Sequence, residues 1–382
     1  MVKRHVEPHA THGVHPVGVF AERLHAAASA AALVGTDRAR APFLFFDLET
    51  TGLSGGAGTY AFLIGCGWFE DGAFVTEQHL LVDPQSEPAM LLAVAAGMAS
   101  AGALVTFNGK SFDAPLLDTR YLFHRLESPC AMLPHVDLLH PARRFWGSSV
   151  DVGCSLVALE VRVLGMRRRG DVPGFEIPQR YFHFVRSGDP RPLAVVLEHN
   201  RLDLLSLAGL TARLFQLVDD GPRAACDARE ALALGRVYHR AGLADRAELS
   251  FERALTLSRE PTICVEALRA LAIGARRQRR YEVAAARWEA ILALAGCPTT
   301  LAREAIEALA IHHEHRGRDL DTAKLFALRG LEIERETAWG DATRHRLARI
   351  ERKIVSAQRP LAFSPPLRPA CDSPTSGPRT SS

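Results

Sequence analysis

The sequence predicts an α/β domain, with a mixed sheet flanked by helices, followed by an all-α domain of helical repeats. The first observation is length: 382 residues, 47% of them hydrophobic, exceed the roughly 250–300 residues that one core normally supports. The second is that strand patterns alternate with helical patterns only as far as residue 218. These observations divide the chain into an N-terminal arm (1–40), the α/β domain (41–218), the helical repeats (219–355) and a disordered tail (356–382).

The first predicted strands are antiparallel, because two of them are joined by Asp71-Gly72, a pair that favours a hairpin turn. Helical patterns and a short strand then alternate, which is typical of a mixed sheet covered by helices. The predicted strands cover 43–48, 60–69, 74–81 and 103–107, the predicted helices cover 89–101, 155–164 and 193–217, and 165–192 is predicted as a long loop.

The all-α region contains a weak repeat in which three residues share one helix face through i, i+4, i+7 spacing. Paired helices that recur every 34 to 40 residues are similar to tetratricopeptide-type units, so we expect about three such pairs. The repeated sets are Ala247, Phe251 and Ala254; Ala284, Trp288 and Ile291; and Ala323, Ala327 and Gly330.

The charges exclude a polycation of the histone kind, since the net charge is only +3. Residues 41–218 carry 18 acidic and 14 basic side chains, so an α/β domain that acted on polyanions would need cations to offset its carboxylates. Arginine dominates the basic residues, 42 to 4 over lysine, and offers planar phosphate donors. Candidate phosphate contacts are Arg143-Arg144, Arg167-Arg168-Arg169, and Arg276-Arg277 with Arg279-Arg280.

Seven cysteines, an odd number with no C-x-x-C pair, predict neither a disulfide framework nor a zinc knuckle. The arm carries His5, His9, His12 and His15 at irregular spacing, and we expect it to be unstructured. It has no apolar run of the signal-peptide kind, and no stretch of about 18 apolar residues follows. We therefore expect a cytoplasmic protein without a membrane partner.

Asp47 and Glu49 lie at the end of a strand that is otherwise hydrophobic from Phe43 onward. Residues i and i+2 of a strand share a face, so both carboxylates point the same way. Paired negative charge at the end of a buried strand requires compensation, which a divalent metal would supply. Alone, this pair has a simpler interpretation as two solvated acids.

Two further acids occupy helices. Asp113 follows the turn Asn108-Gly109 at a strand-to-helix junction, where a helix-capping role is the simpler reading. His199 and Asp203 are four apart on one helix face, a spacing that an ordinary ion pair also explains.

Taken together, D-x-E on a first strand, N-x-x-x-F-D at a later junction and an acid on a late helix resemble the four-acid signature of the DEDD 3′→5′ exonucleases, on the ribonuclease H-like fold. The segments Cys154 to Glu160, Asp171-Val172-Pro173-Gly174 and His199 to Leu207 resemble the YprB-type branch of predicted bacterial exonucleases. The resemblance covers about residues 41–218, and in that branch a helical repeat region often follows.

The resemblance implies two Mg²⁺ or Mn²⁺ ions, one on Asp47, Glu49 and Asp203, and a second on Asp47 and, directly or through water, Asp113. It implies a nucleic acid substrate with single-stranded DNA or RNA ends. Substrate-binding residues by the same resemblance are Thr50, Thr51, Gly52, Asn108, Lys110 and Phe112.

His199 departs from the family pattern, which has Tyr four residues or His five residues before the last acid. Two roles stay open for it: general base for the attacking water, or hydrogen-bonding support for a carboxylate. Two rival functions also stay open, a structure-selective endonuclease with the same metal site and a non-catalytic scaffold that binds nucleic acid and, through its repeats, a protein partner.

Overall fold

A computed structural model describes residues 1–35, 38–52, 58–147, 153–333 and 340–358. It forms two compact units, one of residues 1–287 with 294–296, the other of residues 288–293 with the described residues from 297 onward. The predicted boundary after residue 218 therefore does not separate compact units. The reason is that Tyr238 donates a 2.6 Å hydrogen bond to the carbonyl of Val218, while Trp146 donates one of 3.0 Å to Glu230.

The first unit contains a six-stranded sheet in the order β1-β6-β5-β4-β7-β8. Its central strand β4 pairs antiparallel with β5 and parallel with β7, so the predicted mixed sheet is confirmed. The strands are β1 (Val2–Val6), β4 (Phe43–Thr50), β5 (Ala61–Glu70), β6 (Ala73–Leu80), β7 (Ala103–Thr106) and β8 (His135–Asp137), and a separate hairpin consists of β2 (Thr11–His12) and β3 (His15–Pro16).

The N-terminal arm is structured, so the expectation that it is unstructured was wrong. Strand β1 pairs antiparallel with β6 at the sheet edge, and helix α1 (Val17–Ala26) buries Val17, Phe20 and Leu24 against the core. His12 is buried and forms a 2.7 Å hydrogen bond with Ser206. The i, i+3, i+7 spacing of the three apolar residues is the helical signal that identifies this segment.

Helices cover both faces of the sheet. The prediction of a loop over 165–192 was wrong for the helix α7 (Ile177–Ser187), whose Tyr181 stacks on Phe62 with ring centroids 4.1 Å apart. The predicted helix 155–164 consists of a short α-helix and a π-helical turn, Glu160–Leu164. The remaining helices are α2 (Ala30–Val34), α3 (Glu87–Met98), α4 (Asp113–Phe123), α5 (Leu139–Trp146), α6 (Leu156–Leu159), α7 (Ile177–Ser187) and α8 (Arg191–Asp220).

The C-terminal region is helical, as predicted. The three repeated sets of residues are buried on α10, α12 and α14, while the resemblance to tetratricopeptide units stays a prediction. Residues 356–358, predicted to be disordered, end α15, and the rest of the predicted tail lies outside the described residues. The helices are α9 (Ala228–Arg240), α10 (Ala244–Leu257), α11 (Pro261–Arg277) and α12 (Tyr281–Leu292), then α13 (Thr299–His312), α14 (Leu320–Ile333) and α15 (Gly340–Gln358).

One buried ion pair fixes the helix α4, which begins at Asp113. The buried guanidinium of Arg120 on α4 binds the buried carboxylate of Glu87 on α3, with a 2.7 Å hydrogen bond from Nε. Because such a pair is costly to break from one side, it holds α4 firmly beside the sheet. Across the described ranges, no helix is both long and apolar enough to span a bilayer.

Candidate active site

The site begins at Asp47, near the carboxyl end of β4. Asn200 of α8 donates a 2.7 Å hydrogen bond to Oδ2 of Asp47, and its own Oδ1 accepts one of 2.8 Å from Gln78. The amide fits because β5 has a glycine opposite Asp47, where a Cβ on Gly65 would lie 2.2 Å from Asn200. Asn200 is thus wedged between the sheet and α8, and it fixes one oxygen of Asp47.

Asp113 is the first residue of α4, which the preceding turn aims at the sheet. Asn108 has a φ of 69°, a left-handed conformation that asparagine tolerates. The carboxylate of Asp137 at the end of β8 accepts the backbone N–H groups of Asn108 at 2.8 Å and Lys110 at 3.0 Å. A Cβ on Gly109 would lie 2.8 Å from Oδ2 of Asp113, so glycine allows the close approach of that carboxylate.

Helix α8 supplies His199 and Asp203 on one face. Nε2 of His199 lies 3.5 Å from Oδ2 of Asp203 and 4.0 Å from Oε1 of Glu49. The sequence-predicted catalytic residues on β4 and α8 are therefore brought together.

Burial raises the pKa of Asp47 well above its ordinary value, and the charges of Asp203 and Glu49 raise it further. Burial and the charges of Asp203 and Asp113 raise the pKa of Glu49 to about 8. Burial, followed by the charge of Asp137, raises the pKa of Asp113 to about 7. Asp113 and Asp203 therefore act on the two carboxylates of β4 as nearby negative charges.

Arg168 provides a positive charge beside Asp203, on the α8 side of this cleft. Its guanidinium binds Asp203 and the buried Glu160, with a 2.9 Å hydrogen bond from Nε to Glu160, and lies 3.1 Å from Oδ2 of Asp171. The sequence suggested a phosphate contact for the run 167–169, but the Arg168 side chain is only 3% exposed. Burial opposes its charge, yet the hydrogen bond to Glu160 and the charge of Asp203 outweigh burial and raise its pKa.

Within the described residues, no arginine or lysine forms an ion pair with Asp47, Glu49 or Asp113, although Nε2 of His199 lies 4.0 Å from Glu49. Within the described ranges, Asp113 has no hydrogen-bond or ion-pair partner for its carboxylate, and the partner of the Asp47 side chain is the neutral amide of Asn200. No three His, Cys, Asp or Glu side chains of the described chain stand close enough to hold an ion as they are. The donor set, all carboxylate oxygens with excess negative charge, nevertheless suits a hard divalent ion such as Mg²⁺ or Mn²⁺.

The residues predicted to bind substrate border this cleft in two groups. Thr50 donates a 3.0 Å hydrogen bond to the carbonyl of Gly52, and Thr51 accepts one of 3.0 Å from the amide of Tyr60. Among the described residues, a Cβ on Gly52 would meet no atom within 4 Å. Asn108 and Lys110 belong to the turn held by Asp137, and the Phe112 ring is 57% exposed at the start of α4.

From the sequence alone, Asn200, Asp137, Asp171 and Glu160 have no predicted site role, and Arg168 has only a predicted phosphate contact within the run 167–169. Asn200 directly follows His199, and Asp171 lies in a quoted motif, so both offered a local signal. Glu160 and Arg168 meet through a π-helical turn and a loop, which leave no periodic pattern. The only sequence signal for Asp137 is that an acid follows a short apolar segment.

Comparison with known proteins agrees with this geometry. Residues 44–215 match the RNase_H superfamily. The chain is also 34% identical over 320 residues to the uncharacterized protein YprB of Bacillus subtilis, which covers 82% of this chain and 75% of YprB. The chain belongs to the ribonuclease H superfamily. Ribonuclease H-like membership indicates a nuclease-type hydrolase that acts on nucleic acid, and such nucleases generally use divalent metals.

The raised pKa values of the ribonuclease H-like site predict a pH-dependent stability. Ordinary carboxyls ionise near pH 4, whereas Glu49 and Asp113 do so at about 8 and about 7 in the folded protein. The folded state therefore binds more protons between these limits, and the metal-free protein loses stability as pH rises from about 4 to about 8. We expect Asp47→Asn to raise the metal-free melting temperature at pH 8 by a few degrees, since each kcal/mol is worth about 2–4 °C.

Thermal melts of metal-free protein at pH 5 and pH 8, with and without Mn²⁺, provide the measurement. Mn²⁺ should raise the melting temperature of the wild type more than that of Asp47→Asn. Glu22→Gln, which removes an exposed acid of α1, is the matched control and should change neither result. Equal stabilisation of wild type and Asp47→Asn by Mn²⁺ would contradict this interpretation.

Proposed function

We propose that this protein is a metal-dependent 3′→5′ exonuclease that hydrolyses phosphodiester bonds at single-stranded DNA or RNA ends. The observation that carries the proposal is the partly buried cluster of Asp47, Glu49 and Asp113, which forms no ion pair with an arginine or lysine of the described residues and whose pKa values are raised by burial and by neighbouring carboxylates. A cluster of mutually repelling acids costs folding free energy, and a bound cation offsets this cost.

The residues divide between two ions as the family resemblance implies. Asp47, Glu49 and Asp203 would hold one ion, and Asp47 and Asp113 a second. Divalent ions held there would lower the pKa of a bound water and offset the negative charge that develops on the phosphate and on the leaving 3′-oxygen. Thr50, Thr51 and Gly52 form an open edge for the terminal nucleotide, and the exposed ring of Phe112 is available to stack a base.

His199 is proposed as the proton acceptor. Its Nε2 faces Asp203 and Glu49, so a water molecule in the cleft lies within its reach. The O–H bond of that water breaks and the proton moves to Nε2, the hydroxide oxygen bonds to phosphorus, and the bond from phosphorus to the 3′-oxygen breaks. The leaving oxygen takes a proton from solvent, and the imidazolium returns its own proton to solvent. General-base help of this kind is worth about 10²–10⁴-fold in rate.

Unpaired arginines of the first unit support binding of a nucleic acid backbone. Arg143 and Arg144 are exposed at the end of α5, and Arg162 and Arg229 line a cavity of about 490 Å³ beside it. These four side chains form no ion pair within the described residues. Burial, and then the nearby charges of Arg144 and Arg236, lower the pKa of the neighbouring Arg240.

Two of the arginines that the sequence singles out between α11 and α12 contact other side chains of the protein. Arg280 lies 2.5 Å from Glu248, and Arg277 lies 3.4 Å from Nε2 of His239. Their role in nucleic acid binding stays a prediction, and a protein partner for this region stays an alternative.

The function is tested by a Mn²⁺-dependent digestion panel of end-labelled and circular, single- and double-stranded DNA and RNA. We expect stepwise shortening from 3′ ends of single strands, no product from circular strands, and no activity in Asp47→Asn. Cleavage of circular substrates would replace the proposal by the endonuclease alternative. Binding without cleavage of any substrate by the wild type would favour the scaffold.

The binding surface is tested by replacing Arg143, Arg144 and Arg162 together with alanine. Each arginine that contacts a phosphate contributes about 1 to the slope of log affinity against log salt. We expect a flatter slope for a single-stranded oligonucleotide, measured by fluorescence anisotropy. The matched control replaces Arg276, Arg277 and Arg279. A flatter slope in the control alone would move the binding surface to the helices α11 and α12.

A further inference from the structure

We propose that Asp171, held by Arg168, is a positioning residue that fixes the ring orientation and the tautomer of His199. This inference rests on the proposed function, because it explains how Nε2 of His199 is left free toward the cleft. Asp171 and Arg168 do not belong to the four-acid set. Both lie in the segment between the π-helical turn and α7.

The contact between the two side chains decides the tautomer. Nδ1 of His199 lies 2.6 Å from Oδ1 of Asp171. A carboxylate oxygen can only accept a hydrogen bond, so at this distance Nδ1 must carry the proton. In the neutral ring, Nε2 then has the lone pair, and Nε2 is the nitrogen that faces Asp203 and Glu49. The ring is thereby presented with its acceptor toward the acids.

Asp171 is itself held from two sides. The amide of Val172 donates a 2.9 Å hydrogen bond to Oδ1, and Nη1 of Arg168 lies 3.1 Å from Oδ2. Nη1 of Arg168 also lies 3.3 Å from Nδ1 of His199. That longer contact does not compete for the Nδ1 lone pair, because the closer carboxylate already requires a proton there.

Arg168 connects this pair to the body of the protein. Its guanidinium binds Glu160, whose side chain is fully buried, and also Asp203, one helical turn after His199. One cation therefore fixes the acid that orients His199 and the predicted metal ligand beside it. Displacing Arg168 would release both, so the spacing between His199 and Asp203 is secured by a group outside α8.

This arrangement explains how histidine functions at a spacing that the family pattern reserves for tyrosine. A ring four residues before Asp203 shares its face, but α8 alone does not choose which nitrogen points into the cleft. Asp171 makes that choice from the opposite side of the ring. The contact of Asp171 with the buried Arg168 distinguishes it from an acid that only faces solvent.

The test is ¹⁵N spectroscopy of the histidine rings in the metal-free full-length protein at mildly alkaline pH, with the His199 signals assigned by their loss in His199→Ala. We expect wild-type His199 to carry its proton on Nδ1, and Asp171→Asn to shift it measurably toward the Nε2 tautomer. Asp189→Asn, which removes an acid from an exposed ion pair with Arg191, is the matched control and should leave the spectrum unchanged.

The kinetic arm compares the same variants on the substrate found by digestion. Asp171→Asn should lower kcat about 10–100-fold, the usual cost of removing a group that orients another, with KM changed less than about threefold. Asp171→Glu, which keeps a carboxylate, should recover part of the loss. The Asp171 side chain is 23% exposed, so these changes should be tolerated, and thermal melts verify folding.

Two results overturn the inference: a wild-type His199 protonated on Nε2, or an Asp171→Asn variant that keeps both the wild-type tautomer and the wild-type kcat. A wild-type protein that cleaves no nucleic acid overturns the proposed function instead. In that case the ring spectrum still decides whether Asp171 sets the tautomer.

Discussion

Negative charge concentrated at the carboxyl end of one central strand is the constraint on which the site depends. Asp47 and Glu49 lie on β4, and the neighbouring elements bring two more acids, Asp113 and Asp203, toward them. Carboxylates removed from water in this way repel one another and bind protons more tightly than they do in solution. The chain tolerates the arrangement because the sheet, α4 and α8 are each fixed by contacts that do not depend on these charges.

The two sides of the cleft handle this charge differently. On the α8 side, Arg168 gives Asp203 a permanent counter-ion, and Glu160 and Asp171 keep the guanidinium in place. On the β4 and α4 side, Asp47 has the neutral amide of Asn200. Among the described residues, no arginine or lysine pairs with Asp47, Glu49 or Asp113, so an external cation gains most by binding there.

The four acids can be singled out from the sequence as candidate site residues because their signals are local. Two carboxylates two residues apart on a strand must share a face, and an acid at the first residue of a helix must lie at its junction with the preceding turn. The mixed sheet followed for similar reasons, since the hairpin and the alternating helix were visible as patterns. The buried faces of α10, α12 and α14 were predicted from spacing alone.

What the sequence did not predict depends on contacts between distant segments. Arg168 belongs to a run of three arginines whose composition indicates a solvated surface, and only the fold buries it against Glu160. Pro173-Gly174 and Pro190, which flank helix α7, favour a loop in the sequence. The helix is recognisable only from its packing, since its Tyr181 stacks on Phe62 of the sheet. The histidine-rich arm gives no local signal because its strand is formed by pairing with β6 at the sheet edge, and the irregular spacing of its histidines does not indicate that partner.

Anomalous diffraction from crystals soaked in Mn²⁺ tests most directly whether the acids are built for a cation. We expect an anomalous peak about 2–2.5 Å from carboxylate oxygens of Asp47 and Glu49, and its loss in Asp47→Asn crystals. A site with well-ordered carboxylates and no anomalous peak at saturating Mn²⁺ would contradict it.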